Sequence, residues 1–208
     1  MHTIIQLIKS VNNTELGKGS THEYYIQVPN EVDVSDMLRP DEPKAFICRS
    51  NISQHYEFRL TCGREKRIVG MGDFYRDFSI EAGDEVVLER SIDRNLNESY
   101  FVDYKKKENS IVLQKLKDGF EILTPSKRNL IDEETRTNDG CDIKLSFMGM
   151  ERKRADSPIE TECYAINING SCFDNKAYQW LEIEVVDHVA TLKPINTWKM
   201  IKFQTREG

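Results

Sequence analysis

Residues 59–72 read Arg-Leu-Thr-Cys-Gly-Arg-Glu-Lys-Arg-Ile-Val-Gly-Met-Gly, so that Arg59, Arg64, Lys66 and Arg67 share a glycine-bounded segment with the carboxylate Glu65. Guanidinium and ammonium groups fork onto guanine edges or hold phosphates, and a glutamate can accept from a cytosine amine or hold a neighbouring arginine in place. A carboxylate among the cations repels phosphate, which favours reading of base edges over simple phosphate clamping. In an extended strand Arg64 and Lys66 face one way and Glu65 and Arg67 the other. The plain alternative is a charged hairpin turned to solvent, or an edge strand charged against pairing with other chains.

A second pattern is Asp142-Ile143-Lys144, with Asp132 and Asp139 upstream. Magnesium-dependent nucleases need two acids to hold the ion and a lysine to orient the attacking water. A small nuclease of this kind in the second half of the chain is the alternative functional reading, although the tripeptide is common by chance. Cys48, Cys62, Cys141, Cys163 and Cys172 are widely spaced, with no Cys-x-x-Cys pair. They read as reduced thiols rather than as a disulfide frame or a zinc site. No Ser/His/Asp order and no phosphate-cradling glycine loop is present, so no cofactor and no metal is expected.

The elements that must position these residues are mostly strands. Residues 3–9 are Ile-rich and suit a first strand, while 10–21 hold Asn12, Asn13, Gly17, Lys18, Gly19 and Ser20, the composition of a long exposed loop or arm. Residues 22–29 alternate, with Tyr24, Ile26 and Val28 on one face and Tyr25 and Gln27 on the other. A short helix is expected over 32–38, before the Arg-Pro-Asp-Glu-Pro break at 39–43. Strands are expected at 45–49, 56–61, 66–71, 85–91, 99–104 and 110–115, with a helical turn over 73–80 and a tight turn at 81–84. Short strands at this spacing predict a closed or partly closed barrel of seven or so strands. Residues 118–140 read as a polar linker, and strands are expected again at 142–148, 162–169, 180–186, 189–193 and 199–204. The organisation so predicted is a barrel over 1–117, a linker over 118–140 and a β-rich extension or second small domain over 141–208.

The 208 residues carry a formal net charge of -6, so any polyanion binding must rest on a local patch rather than on the global field. No stretch approaches the roughly 18 apolar residues of a membrane span, and a soluble cytoplasmic protein is expected.

Two motifs carry a resemblance. One is Ser10-Val-Asn-Asn-Thr, a polar glycine-containing arm, then His22 and, seven residues on, Pro29; the other is Glu65-Lys66-Arg67-Ile68 followed by Gly70 and Gly72. In these the first half resembles the N-terminal effector domain of EcoRII-type restriction endonucleases, a pseudobarrel of the same general type as the plant B-three transcription-factor domain. The resemblance implies a seven-stranded pseudobarrel with one or two short helices, gripping the major groove of double-stranded DNA between an N-terminal arm (9–27) and a C-terminal arm (59–71). It implies His22, Arg64, Glu65, Lys66 and Arg67 as base contacts, and Lys9, Asn12, Asn13, Lys18, Tyr25, Gln27 and Arg59 as arm and phosphate contacts. It further implies a target resembling CC(A/T)GG, no catalysis by the module itself, and a nuclease domain of the same polypeptide as partner. A third reading is an unrelated β protein that binds another protein.

Overall fold

The computed structural model describes residues 2–19, 21–152, 159–174, 176 and 178–205. Ser20, which the sequence places in the first arm, lies outside the described residues.

The chain is mainly β and forms two units, one of residues 1–106 with 197–208 and the other of 107–196. The first contains β1 (His2–Ser10), β2 (Tyr25–Val28), β3 (Lys44–Cys48), β4 (His55–Cys62), β5 (Lys66–Val69), the helix α1 (Gly72–Asp77), β6 (Glu85–Ile92) and β7 (Glu98–Lys105). The second contains β8 (Ser110–Lys115), β9 (Phe120–Ile122), a short 3-10 helix (Pro125–Leu130), β10 (Arg136–Thr137), β11 (Ile143–Arg152), β12 (Glu160–Ile168), β13 (Ser171–Cys172), β14 (Trp180–Val186) and β15 (Val189–Pro194). The chain then returns to the first unit as β16 (Trp198–Thr205).

Each unit is built on one curled sheet, ordered β16-β1-β6-β7-β3-β4-β5-β2 in the first and β10-β15-β14-β8-β9-β12-β11 in the second, with β13 on β12. Period-two alternation explains the strands. In β4, Tyr56, Phe58 and Leu60 are buried while His55, Glu57 and Arg59 are exposed. The inward residues meet an aromatic cluster: Phe46 lies 4.9 Å from Phe58, and Phe74 of α1 packs edge-on to Tyr56 at 5.3 Å. In the second unit Ile111, Leu113, Phe120, Ile143, Ile166 and Ile183 form the core.

Three expectations are corrected. Residues 32–38 are not a helix: Met37 and Leu38 both donate to the Val34 carbonyl in a single turn, and Val34, Met37 and Leu38 bury their apolar side chains without helical continuation before Pro40. Residues 110–115 form β8, which joins β14 and β9 in the second unit rather than extending the first barrel. The boundary expected at 117–141 falls at 106–107, because 118–140 is not a linker; Phe120, Ile122 and Leu123 are core residues. Among the described residues no helix is long and apolar enough to cross a membrane.

Candidate functional site

The 59–72 segment folds as the hairpin β4–β5. Cys62 pairs with Lys66 and Thr61 with Arg67, so that Gly63, Arg64 and Glu65 form the turn, closed by the Gly63 amide on the Glu65 carbonyl at 3.2 Å. On its other side β5 pairs with β2, placing Gln27 opposite Arg67 and Tyr25 opposite Val69. Gln27, Arg67 and Thr61 therefore form one row across three strands on the outward face, while Ile26, Ile68 and Leu60 are buried on the inward face. Ile26 and Val28 share the buried face and Gln27 faces outward as expected, whereas Tyr24 precedes the strand and is exposed. Even so, Tyr25 is covered on the outward side, with the Arg67 guanidinium 4.2 Å from its ring centroid.

Arg67 is the most constrained cation of the site. Its Nε and Nη2 donate to Glu65 Oε2 at 3.2 and 2.9 Å, and its Nη1 donates to Glu23 Oε2 at 2.7 Å. The Glu65 hydrogen bond, outweighing partial burial, holds its protonation more firmly than usual. A guanidinium has five N–H groups, so these three bonds leave one on each terminal nitrogen, the pair that a fork onto guanine uses. Arg64 is exposed at the turn and Arg59 is exposed on β4. Lys66 points elsewhere: its Nζ donates to the carbonyls of Asn30 and Val32 at 3.0 and 3.3 Å, tying the chain after β2 to the hairpin.

The N-terminal arm is organised by a residue that the sequence reading passed over. Glu15, 1% exposed, accepts from the Asn12 amide at 2.9 Å, the Gln27 amide at 2.8 Å and Lys9 Nζ at 3.0 Å. In return Asn12 Oδ1 accepts from the Glu15 amide at 3.1 Å, a reciprocal arrangement like a helix capping box. The Asn-x-x-Glu spacing was the available signal. Asn12 is thereby a turn former, and the Asn13 carbonyl accepts from the Lys18 amide at 3.0 Å.

Lys9 and Tyr25, expected among the DNA contacts, are corrected. Lys9 is 4% exposed and bonded to Glu15 and the Ser10 carbonyl, out of reach of a phosphate. Tyr25 is 3% exposed, and its phenol is raised by that burial. Lys18 is exposed on the arm, and His22 stands exposed beyond it with φ 53°, its Nδ1 3.2 Å from the Gly17 carbonyl. Of the expected residues, the fold thus places Gln27, Glu65 and Arg67 on one face; Glu23, 44 residues from Arg67, was signalled by nothing local.

The acids of the alternative reading are not gathered. Asp142 pairs with Arg136 at 3.0 Å, Asp139 accepts from Thr137 and Cys141, and Asp132 accepts from Thr135 and lies 3.3 Å from His188 Nδ1. Among the described residues no three His, Cys, Asp or Glu side chains are grouped to hold a metal ion. No protein-family model matches the chain, and no curated protein matches its sequence.

Proposed function

We propose that the first unit is a sequence-specific double-stranded DNA-binding module, entering the major groove with the 10–24 arm and the β4–β5 hairpin. The observation that carries this reading is the Arg67–Glu65 pair on the outward row with Gln27, with two guanidinium protons still available. A guanidinium already fixed by two carboxylates and a ring loses little freedom on meeting a base, and the glutamate beside it complements a cytosine on the opposite strand. Arg64 and Arg59 supply exposed charge at the turn and along β4, and Lys18 and His22 supply donors from the other arm. In this reading the curled sheet is a pseudobarrel of seven strands, β1 to β7, with β16 added at its edge. The module is the effector part of a type II restriction endonuclease, with cleavage carried by a partner nuclease domain and a G/C-flanked target resembling CC(A/T)GG.

A gel-shift series on duplexes differing by one base pair, without metal, tests the reading. A specific complex with one duplex is expected, and equal binding to all of them rejects it. Arg67→Ala should weaken specific binding by about 1–3 kcal/mol and relax selectivity at one base pair. Intact selectivity with a reduced salt slope would make Arg67 a phosphate contact instead.

A further inference from the structure

On the first unit, away from the row just described, a cleft of about 140 Å³ is lined by Ser35, Met37, Arg39, Lys44, Arg90, Glu98 and Tyr100. Three cations and one carboxylate converge there. The carboxylate is matched internally: Glu98 Oε1 accepts from Arg90 Nη2, and Oε2 accepts from the Tyr100 hydroxyl at 2.7 Å. Lys44 pairs with Glu42 at the rim and stands 5.5 Å from the Tyr100 ring centroid. Arg39 is exposed and makes no ion pair among the described residues. With Glu42 counted, three positive charges face two negative ones, which leaves one in excess.

Arg90 adds a second observation. Its Nη1 donates to the Asp36 carbonyl at 2.5 Å and its Nη2 to Glu98, but its Nε is buried and has no hydrogen-bond partner among the described residues. That buried donor leaves Arg90 incompletely matched by its neighbours, while one N–H on each of its terminal nitrogens remains to meet an anion in the cleft. The size of the cleft limits that group. It matches the ~150 Å³ of a cavity that takes benzene and falls well below the roughly 300 Å³ at which drug-sized ligands begin to fit.

We propose that this cleft binds one phosphate-class oxyanion, held by Arg39, Lys44 and Arg90. The tetrahedral anion brings several acceptors to a set of donors whose own carboxylates leave one charge unmatched, and guanidinium forks suit its geometry. The anion comes either as free phosphate or as a phosphate of a nucleic-acid chain.

Thermal unfolding of the full chain in inorganic phosphate, against sodium chloride at matched ionic strength, tests the site. Phosphate should raise the melting temperature saturably and chloride should not. Arg39→Gln, at an exposed position without an ion pair, should raise the half-saturating phosphate concentration about tenfold, the loss of one charge-assisted hydrogen bond. Lys44→Gln should act in the same direction, and Arg67→Ala should leave the response unchanged. Equal effects of phosphate and chloride, or a response undiminished in both cleft variants, would overturn the proposal. DNA titration in phosphate-free buffer separates the two sources. A salt slope reduced by about one in Arg39→Gln assigns the cleft to a backbone phosphate, and an unchanged slope assigns it to free phosphate. The phosphate response needs no DNA binding, so it stands or falls apart from the DNA reading.

Discussion

Two residues give the site its shape without touching its outer surface. Glu15 gathers Lys9 and two backbone amides, at 1% exposure for itself and 4% for Lys9. Glu15→Ala strands the ammonium in the core and should cost roughly 3–5 kcal/mol, read as a lowered denaturation midpoint. In the second unit burial, with the Glu151 carboxylate beside it, pushes the Cys163 thiol from 9.0 up to about 11. A raised value stabilises fully below the unfolded thiol's range and is lost as pH rises through the folded one. Cys163→Ala should therefore lose less stability than the parent chain between about pH 9 and 11, seen as a smaller fall in melting temperature. The pairing of Glu65 with Arg67 was legible, because a carboxylate two residues before an arginine lies within reach of it, although Glu65 sits in the turn rather than on the strand. The burial of Lys9 was not, because a lysine at a strand end looks exposed until its partner is known.

Strands were the legible elements. Those expected at 56–61, 85–91, 99–104, 180–186 and 189–193 all occur within a residue or two of their expected bounds; β4 has one face buried and the other exposed, whereas β14 is buried on both faces over Trp180 to Ile183. Residues 32–38 misled because a Ser/Asp start also describes a turn, and three buried apolar side chains there need only one turn to reach the core. The β4–β5 hairpin depends on a glycine that no periodicity reveals. Gly70 has φ 94°, and a Cβ there would lie 2.3 Å from the Glu57 carbonyl oxygen. Gly70→Ala should destabilise the first unit by about 1–3 kcal/mol, through left-handed strain and a backbone clash that cannot yield. Thermal unfolding measures the loss, and if the hairpin reads DNA, gel shifts at a temperature where the variant remains folded should show weaker specific binding.

At the scale of the whole molecule, the second unit interrupts the first. Composition at 118–140 suggested a linker there, but polar loops occur inside compact units as readily as between them, and the buried Phe120 and Leu123 decide the matter. The register brings Lys105 opposite Glu85, Glu85 opposite Ser10, and Lys9 opposite Trp198. Exit and re-entry thus lie at one end of the first sheet, three strand spacings or about 14 Å apart. Replacing 107–196 by a flexible linker of about six residues, which reaches that far, should leave the first unit folded, with β-sheet circular dichroism and a cooperative melt. Failure to fold would show that the first sheet depends on the inserted unit. The same discontinuity sets an order of events during synthesis. Residues 107–196 are contiguous and can fold as soon as they leave the ribosome, while β1 must wait with one edge uncovered until 198–205 are made. For the time it takes to translate the inserted unit, Ile4 and Ile8 lack the Phe203 and Lys199 that oppose them in the finished sheet, and it is in that interval that the chain is most exposed to pairing with the wrong strand.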